Sequence, residues 1–307
     1  MESTETAFKF EKGKIYYFIC YALVSGGKST FYDHILSKQE DEQFKKQYKI
    51  FYVSSDKVRA DLAEKFHQEH QELTYDECFE KVGKSTAREF DSQIMEFKKD
   101  KDPHKINIVL VDKNYPQGIG KFQATFCKDR KNNIVMVFLP RIEHPITFKK
   151  DDKTFYYPYS IDYVIQCYLR LKHRTNHETL NGGTDKSKYI YLSFLRLFQG
   201  FNFERNLKGK HIKEDHSNVY LQHISFTDES HTIPFDEEYD KFFKEVMIGL
   251  KGFDFEYIEH HSKDEILAFF DSIEKKYDSG EVPFFQDTRG IIKSEVDQLL
   301  PISELLE

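Results

Sequence analysis

Cysteine is scarce and widely spaced. The four in 307 residues, Cys20, Cys78, Cys127 and Cys167, include no Cys-x-x-Cys pair, which disfavours a zinc site or a disulfide framework and fits a reducing compartment. They read as small buried hydrophobes. Long apolar runs are also missing. The longest, Ile15 to Val24, is about half of the ~20 residues a bilayer-spanning helix needs. Met1 to Thr6 carries no basic residue and no cleavage signature, so the expectation is a soluble intracellular protein, cytoplasmic or nuclear, with no membrane partner. No internal repeat, low-complexity tract or Pro/Gly/Ser linker interrupts the chain. Nor is there an excess of positive charge: 45 Lys and Arg face 52 Asp and Glu, a formal net charge of −7. That balance argues against a non-specific nucleic-acid coat, although it leaves room for a local basic cleft and a polyanionic substrate.

What is present is apolar and aromatic. Hydrophobic residues make up 39%, with 29 Phe and 19 Tyr, enough to bury a sizeable core and exclude wholesale disorder. The length fits one large domain or two modest ones. The run from Ile15 to Val24 is unbroken, β-branched and aromatic, and it stops at Ser25-Gly26-Gly27. A strand buried on both faces of a parallel sheet reads this way. A helix follows Lys28, with Phe31, Ile35 and Leu36 on one face, until the polar stretch 37–47 breaks it. Strands are expected at 48–54, 106–111 and 134–139, and helices at 74–97 and 120–129. Such alternation implies an α/β fold with a parallel sheet flanked by helices. A helix at 159–171 leads into a basic stretch, 173–188, that reads as an exposed mobile loop, followed by a helix at 189–198. The last third is expected to hold strands at 219–226 and 253–259 and helices at 236–250 and 263–277. One domain is favoured, with a core over 1–205, a lid at about 170–188, and 206–307 completing or extending it.

The most informative segment is Ala22-Leu-Val-Ser25-Gly26-Gly27-Lys28-Ser29-Thr30, between the best strand and a helix. A chain turning sharply from strand into helix aims free backbone N–H groups and the positive end of the helix dipole at one point, where phosphates bind. Glycines allow close approach, the lysine reaches the terminal phosphates, and the next hydroxyl ligates Mg²⁺. Gly27, Lys28 and Ser29 match those roles, with Ser25, Gly26 and Thr30 completing the cradle. Ala22 stands where the Walker pattern has its first glycine. The alternative is an ordinary strand-to-helix turn in which the glycines supply backbone freedom only.

Asp56 follows the second strand, where a carboxylate can accept the proton of an attacking hydroxyl, and Arg59 can hold an acceptor phosphate or orient Asp56. Asp56 could equally be the N-cap of the helix that follows. The third strand ends at Asp112-Lys113-Asn114, where a P-loop protein places the acid that organises Mg²⁺ and its waters, though strand-end Asp is also common in turns. Arg170 and Arg174 are one helical turn apart and can point the same way to neutralise a transferring phosphoryl group. The plainer reading is a solvated basic helix end complementing its dipole. His223-Ile-Ser225 and His260-His-Ser262 have the His-x-Ser form of phosphodiesterase pairs, but their contexts are not equivalent and ordinary histidines are the default.

Taken together these segments resemble the polynucleotide 5′-kinase branch of the P-loop phosphotransferases, most closely the kinase domain of fungal-type tRNA ligases. Ala22 with Gly27-Lys28-Ser29-Thr30 is similar to the fungal loop, Asp56 to the general base, Asp112-Lys-Asn114 to an Asp-Arg-Asn motif, and Arg174-Thr-Asn176-His177-Glu-Thr179 to the lid signature Arg-Gly-x-Asn-His-Gln-Thr. The likeness runs from about Lys14 to Gln199. It implies a P-loop kinase fold with an arginine-bearing lid and transfer of the γ-phosphate of ATP or GTP, with Mg²⁺, to the 5′-hydroxyl of an RNA end such as a tRNA half. GTP is favoured in the fungal relatives. In this resemblance Lys28, Asp56, Arg170 and Arg174 are catalytic. Arg59, Asp112, Asn114, Asn176 and His177 bind substrate, and Ser29 and Asp112 hold the metal. Ser25 and Thr175 depart from glycines of the family pattern, and a Cβ at Ser25 would crowd the β-phosphate. The alternative function is a catalytically impaired relative serving as a scaffold in a larger complex, with Phe155-Tyr156-Tyr157 and Phe284-Phe285 as contact candidates. A small-molecule kinase is a third.

Overall fold

The computed structural model describes residues 8–115, 118–141, 146–150, 153–157, 160–175, 180, 182–197, 218–225, 263–280 and 289–301. In chain order the elements are β1 (Ile15–Cys20), α1 (Lys28–Ser37), α2 (Glu42–Gln47), β2 (Tyr48–Ser54), α3 (Ser55–Glu69), α4 (Tyr75–Lys81), α5 (Gly83–Lys99), β3 (Ile106–Asp112), α6 (Gly120–Phe126), β4 (Asn133–Pro140), β5 (Ile146–Lys150), β6 (Lys153–Tyr157), α7 (Ile161–Lys172), α8 (Asp185–Leu197), β7 (Val219–Ile224), α9 (Lys263–Asp278) and α10 (Arg289–Leu299).

Five strands form one sheet in the order β2-β3-β1-β4-β7, and every pairing in it is parallel. The fold is therefore α/β, as the alternating pattern predicts. All six residues of β1 and all eight of β4 are buried, which is why both read as unbroken apolar runs rather than as alternating ones. Helices cover the two faces. Tyr17 meets Phe122 of α6 (ring centroids 5.3 Å), while its neighbour Phe18, on the opposite face, meets Phe138 (4.9 Å), which in turn meets Phe31 of α1 (4.9 Å). Edge-to-face and tilted pairs of this kind add ~0.5–1.5 kcal/mol each beyond their buried area.

Several boundaries differ from the sequence expectation for identifiable reasons. β1 ends at Cys20 rather than Val24, because the chain turns back at Leu23, whose carbonyl accepts from the Gly26 N–H (2.9 Å). The polar stretch after Ser37 is largely helical: Asp41 caps α2 by accepting from the N–H groups of Gln43 (2.7 Å) and Phe44 (3.0 Å), and Phe44 stacks on Tyr48 (4.5 Å). The single helix expected at 74–97 is two. Thr74 opens α4 with a reciprocal cap to Glu77, and α5 starts afresh at Gly83, a poor helix former. α6 stops at Phe126 instead of 129, and the loop read through Lys188 ends earlier, because α8 begins at Asp185. The antiparallel hairpin β5–β6 and the helix α10 were not foreseen.

The last third joins the same sheet. β7 pairs with β4 (Val135↔Val219 to Pro140↔Ile224), α10 packs on α1 with a Lys38–Asp297 ion pair of 2.5 Å, and the Tyr48 hydroxyl donates to the Pro301 carbonyl (3.1 Å). The expected strand at 253–259 and helix at 236–250 lie outside the described residues, as do His260 and His261. Among the described residues no helix is long and apolar enough to cross a membrane.

Candidate functional site

The strand order turns at β1, with β2 and β3 on one side and β4 and β7 on the other. In open α/β sheets ligands bind beyond the carboxyl ends of the strands at such a turn. Register brings those ends level: Ser54 at the end of β2 lies beside Asp112 at the end of β3, and Val111 beside Ile19 of β1. The Tyr32 hydroxyl joins the tips of β1 and β3, accepting from the Cys20 N–H (3.2 Å) and donating to the Val111 carbonyl (3.0 Å).

The turn from β1 into α1 is built from two left-handed residues. Ser25 has φ 60 and Gly27 has φ 96. For a residue with a Cβ the left-handed region costs about 1–2 kcal/mol, and strain of this kind gathers at functional sites. Gly27 occupies the N-cap position of α1 without any side-chain cap, so the first N–H groups of a ten-residue helix open onto the crevice without a side-chain partner. Gly26 has no room for a side chain: a Cβ there would sit 2.2 Å from the Tyr163 hydroxyl and 2.8 Å from the Leu23 carbonyl. That hydroxyl also donates to the Gly26 carbonyl (3.2 Å), tying the turn to α7.

At the centre, the Lys28 ammonium pairs with one oxygen of Asp112, and the Tyr52 hydroxyl donates to the other (2.7 Å). Burial and then the Asp112 charge push the Tyr52 phenol well above its ordinary range, so it remains a donor at neutral pH. Asp33, on α1, is pushed up mainly by burial, with Asp112 adding in the same sense and His34 opposing. Arg174 is half-buried. Burial lowers its pKa, and the charges of Asp56 and Asp112 oppose that, so both carboxylates act on its guanidinium. Lys28, Tyr52, Asp56, Asp112 and Arg174 thus share one region at the strand tips.

The remaining sequence candidates are placed as follows. Asp56 lies in the first turn of α3, and the cap of that helix is Ser54, whose hydroxyl accepts from the Lys57 N–H (3.3 Å). The alternative reading of Asp56 as the N-cap is therefore corrected. Arg59 donates from Nε to the Phe79 carbonyl (2.9 Å), and its guanidinium lies 4.1 Å from the Phe79 ring centroid, binding α3 to α4. Ser29 is exposed and Thr30 partly so. Arg170 lies in the last turn of α7. Arg174 lies just past the helix end, with its N–H on the Leu171 carbonyl (3.0 Å) and its own carbonyl accepting from Gly182 (2.8 Å). Asn176 and His177 are outside the described residues.

Three tyrosines that sequence reasoning passed over, Tyr32, Tyr52 and Tyr163, hold this region together. Each reads as core aromatic, and the available signal was its position: Tyr52 two residues before a strand end, Tyr32 four after Lys28. Among the described residues no three His, Cys, Asp or Glu cluster to hold a metal alone. Two polar atoms next to the crevice, Ser25 Oγ and Asn114 Oδ1, are buried with no hydrogen-bond partner among the described residues, which is where a polar ligand fits. No protein-family model and no curated protein matches the chain.

Proposed function

We propose that this chain is a Mg²⁺-dependent phosphotransferase of the P-loop kinase type that moves the γ-phosphoryl group of ATP or GTP to the 5′-hydroxyl of an RNA end. The observation that carries the reading is the Lys28–Asp112 ion pair at the carboxyl end of β3, beside a helix N-terminus with no capping side chain, with the charges of Asp56 and Asp112 acting on Arg174. The choice of RNA as acceptor, including tRNA halves, rests on the sequence resemblance.

In this reading the N–H groups of residues 25–30 and the Lys28 ammonium hold the triphosphate, with Lys28 exchanging Asp112 for phosphate oxygens. Ser29 and Asp112 would hold Mg²⁺, a hard cation that keeps water and phosphate ligands and needs only one or two protein oxygens. It supplies charge neutralisation of the phosphate oxygens. Asp56 accepts the proton as the 5′-oxygen bonds to the γ-phosphorus and the bond to the β-phosphate oxygen breaks. Arg174, and Arg170 a turn before it, offset the charge that develops.

The test incubates the protein with γ-labelled ATP or GTP, Mg²⁺ and a 5′-hydroxyl oligoribonucleotide. Wild type is expected to label the RNA end, Lys28→Ala to lose nucleotide binding, and Asp56→Ala to bind nucleotide but turn over roughly 10²-fold more slowly. Nucleotide binding without end labelling would redirect the reading to a small-molecule acceptor, and absence of nucleotide binding to a scaffold.

A further inference from the structure

The acidic total hides a basic pole. Three connections lie at the amino ends of neighbouring strands: residues 9–14 before β1, 98–105 before β3 and 128–131 before β4. Together they hold ten lysines and arginines against four aspartates and glutamates, in a chain of net charge −7. Because the sheet is parallel and β3, β1 and β4 are adjacent, these connections meet on one surface, opposite the crevice. Backbone and side-chain bonds fix them there: Gly13 N–H to the Lys105 carbonyl (2.8 Å), Ile15 N–H to the Asn132 carbonyl (2.8 Å), Asn107 N–H to the Lys14 carbonyl (3.2 Å) and Lys101 Nζ to the Gly13 carbonyl (3.2 Å).

The four acids in these loops are already committed. Glu11 takes Lys14 (2.6 Å), Asp100 takes Lys49 (2.7 Å), Asp102 accepts from the His104 N–H (2.8 Å), and Asp129 accepts from the Asn132 amide (2.8 Å). Lys9, Lys12, Lys99, Lys128 and Lys131 are exposed and form no ion pair among the described residues. Adjacent strands are ~4.8 Å apart, so the three loops span ~10 Å or more, enough to face consecutive phosphates of one strand. Of the exposed large hydrophobics among the described residues, Tyr75 and Met95 lie on α4 and α5, and Tyr220 and Leu221 on β7, where Tyr220 packs on Phe8 (ring centroids 4.7 Å) beside the 9–14 loop. Protein interfaces are poor in lysine and have an apolar core, and membrane adsorption wants apolar insertion or a second anchor. A lysine surface with one aromatic cluster at its edge suits the repeating phosphates and stackable bases of a single-stranded nucleic acid.

We propose that this amino-end pole is a second, sequence-independent binding surface for the phosphate backbone of single-stranded RNA, separate from the candidate catalytic crevice. The probe is a labelled 20-nucleotide oligouridine with a 5′-phosphate, so that the acceptor end is blocked, titrated with the full chain across a salt series by fluorescence anisotropy. Reversing Lys12, Lys99, Lys128 and Lys131 to Glu is expected to weaken binding by about 10²-fold or more near 0.1 M salt and to flatten the log–log salt slope by about 3, since each single-strand phosphate contact contributes about 0.7. A control with the same charge change at the exposed residues Lys46, Lys65, Lys81 and Lys84 keeps most of the affinity, and far-ultraviolet circular dichroism verifies that both variants fold. Equal loss in both variants would reduce the effect to net charge and overturn the proposal. So would wild type binding phosphatidylserine vesicles but not the oligonucleotide, or an unchanged slope in the pole variant. Lys28→Ala leaves this binding intact whether or not the kinase reading holds, so the two fail separately.

Discussion

At the scale of single residues, Asp112 is the hinge of the site, since one oxygen faces Lys28 and the other the Tyr52 hydroxyl. Removing that hydroxyl with Tyr52→Phe leaves a buried carboxylate short of a charge-assisted hydrogen bond worth about 1.5–3 kcal/mol. Tyr52→Phe is therefore expected to lower stability by about that amount in denaturant titration without altering the fold, and an unchanged midpoint would show that the bond contributes nothing in solution. Lys28 and Asp112 were legible from sequence because their signals are local: a glycine-glycine-lysine-serine turn after an apolar run, and an acid closing another. The role of Tyr52 was not, because its partner is 60 residues away along the chain and an aromatic at a strand end looks like any core residue. Arg59 shows the converse. Its spacing from Asp56 invited an acceptor role, and its guanidinium instead lies over the Phe79 ring.

At the scale of elements, two contacts decide how α7 serves the crevice. A Cβ on Gly182 would lie 1.7 Å from the Leu171 carbonyl oxygen and 2.5 Å from that of Lys172, so Gly182 closes directly on the end of the helix from which Arg174 emerges. Gly182→Ala is expected to destabilise by about 1–3 kcal/mol as the backbone shifts. Gly83→Ala, with nothing within 4 Å of the added Cβ, should be neutral or stabilising by up to about 1 kcal/mol at the start of α5. Thermal melts of the two variants read the contrast, and similar effects would mean that Gly182 is not tightly packed. The second contact couples the turn between β1 and α1 to α7. Gly26→Ala collides with the Tyr163 hydroxyl, and Tyr163→Phe removes the collision with that atom, so the double variant should be more stable than the sum of the single losses allows. Strict additivity would place the strain at the Leu23 carbonyl alone. Neither contact was legible, because glycine in a loop signals freedom in sequence, and here it signals close approach.

At the scale of the whole molecule, the same dense packing makes a prediction about alkali. Burial pushes the Cys127 and Cys167 thiols up to about 12, from an ordinary 9, and the Tyr48 phenol up to about 12 from 10. These groups are held neutral in the folded state and ionise more easily when unfolded. Their contribution is complete below about pH 9, shrinks as pH rises from there, and is gone above about 12. Melting temperature is expected to fall steadily from pH 9 upward, and the folded protein to resist thiol reagents at pH 8. Rapid modification of all four cysteines at that pH would show that the core opens. The sequence alone determined that the chain folds as a parallel α/β sheet, where its principal strands run, and that a glycine-rich turn into a helix follows the first of them, because apolar periodicity and turn chemistry are properties of neighbouring residues. Tertiary structure alone decided the strand order, the pairing of Lys28 with Asp112, the approach of Arg174 to two carboxylates and the gathering of three lysine loops at one pole. Those depend on which distant segments the sheet sets side by side, and packing, not spacing along the chain, selects them.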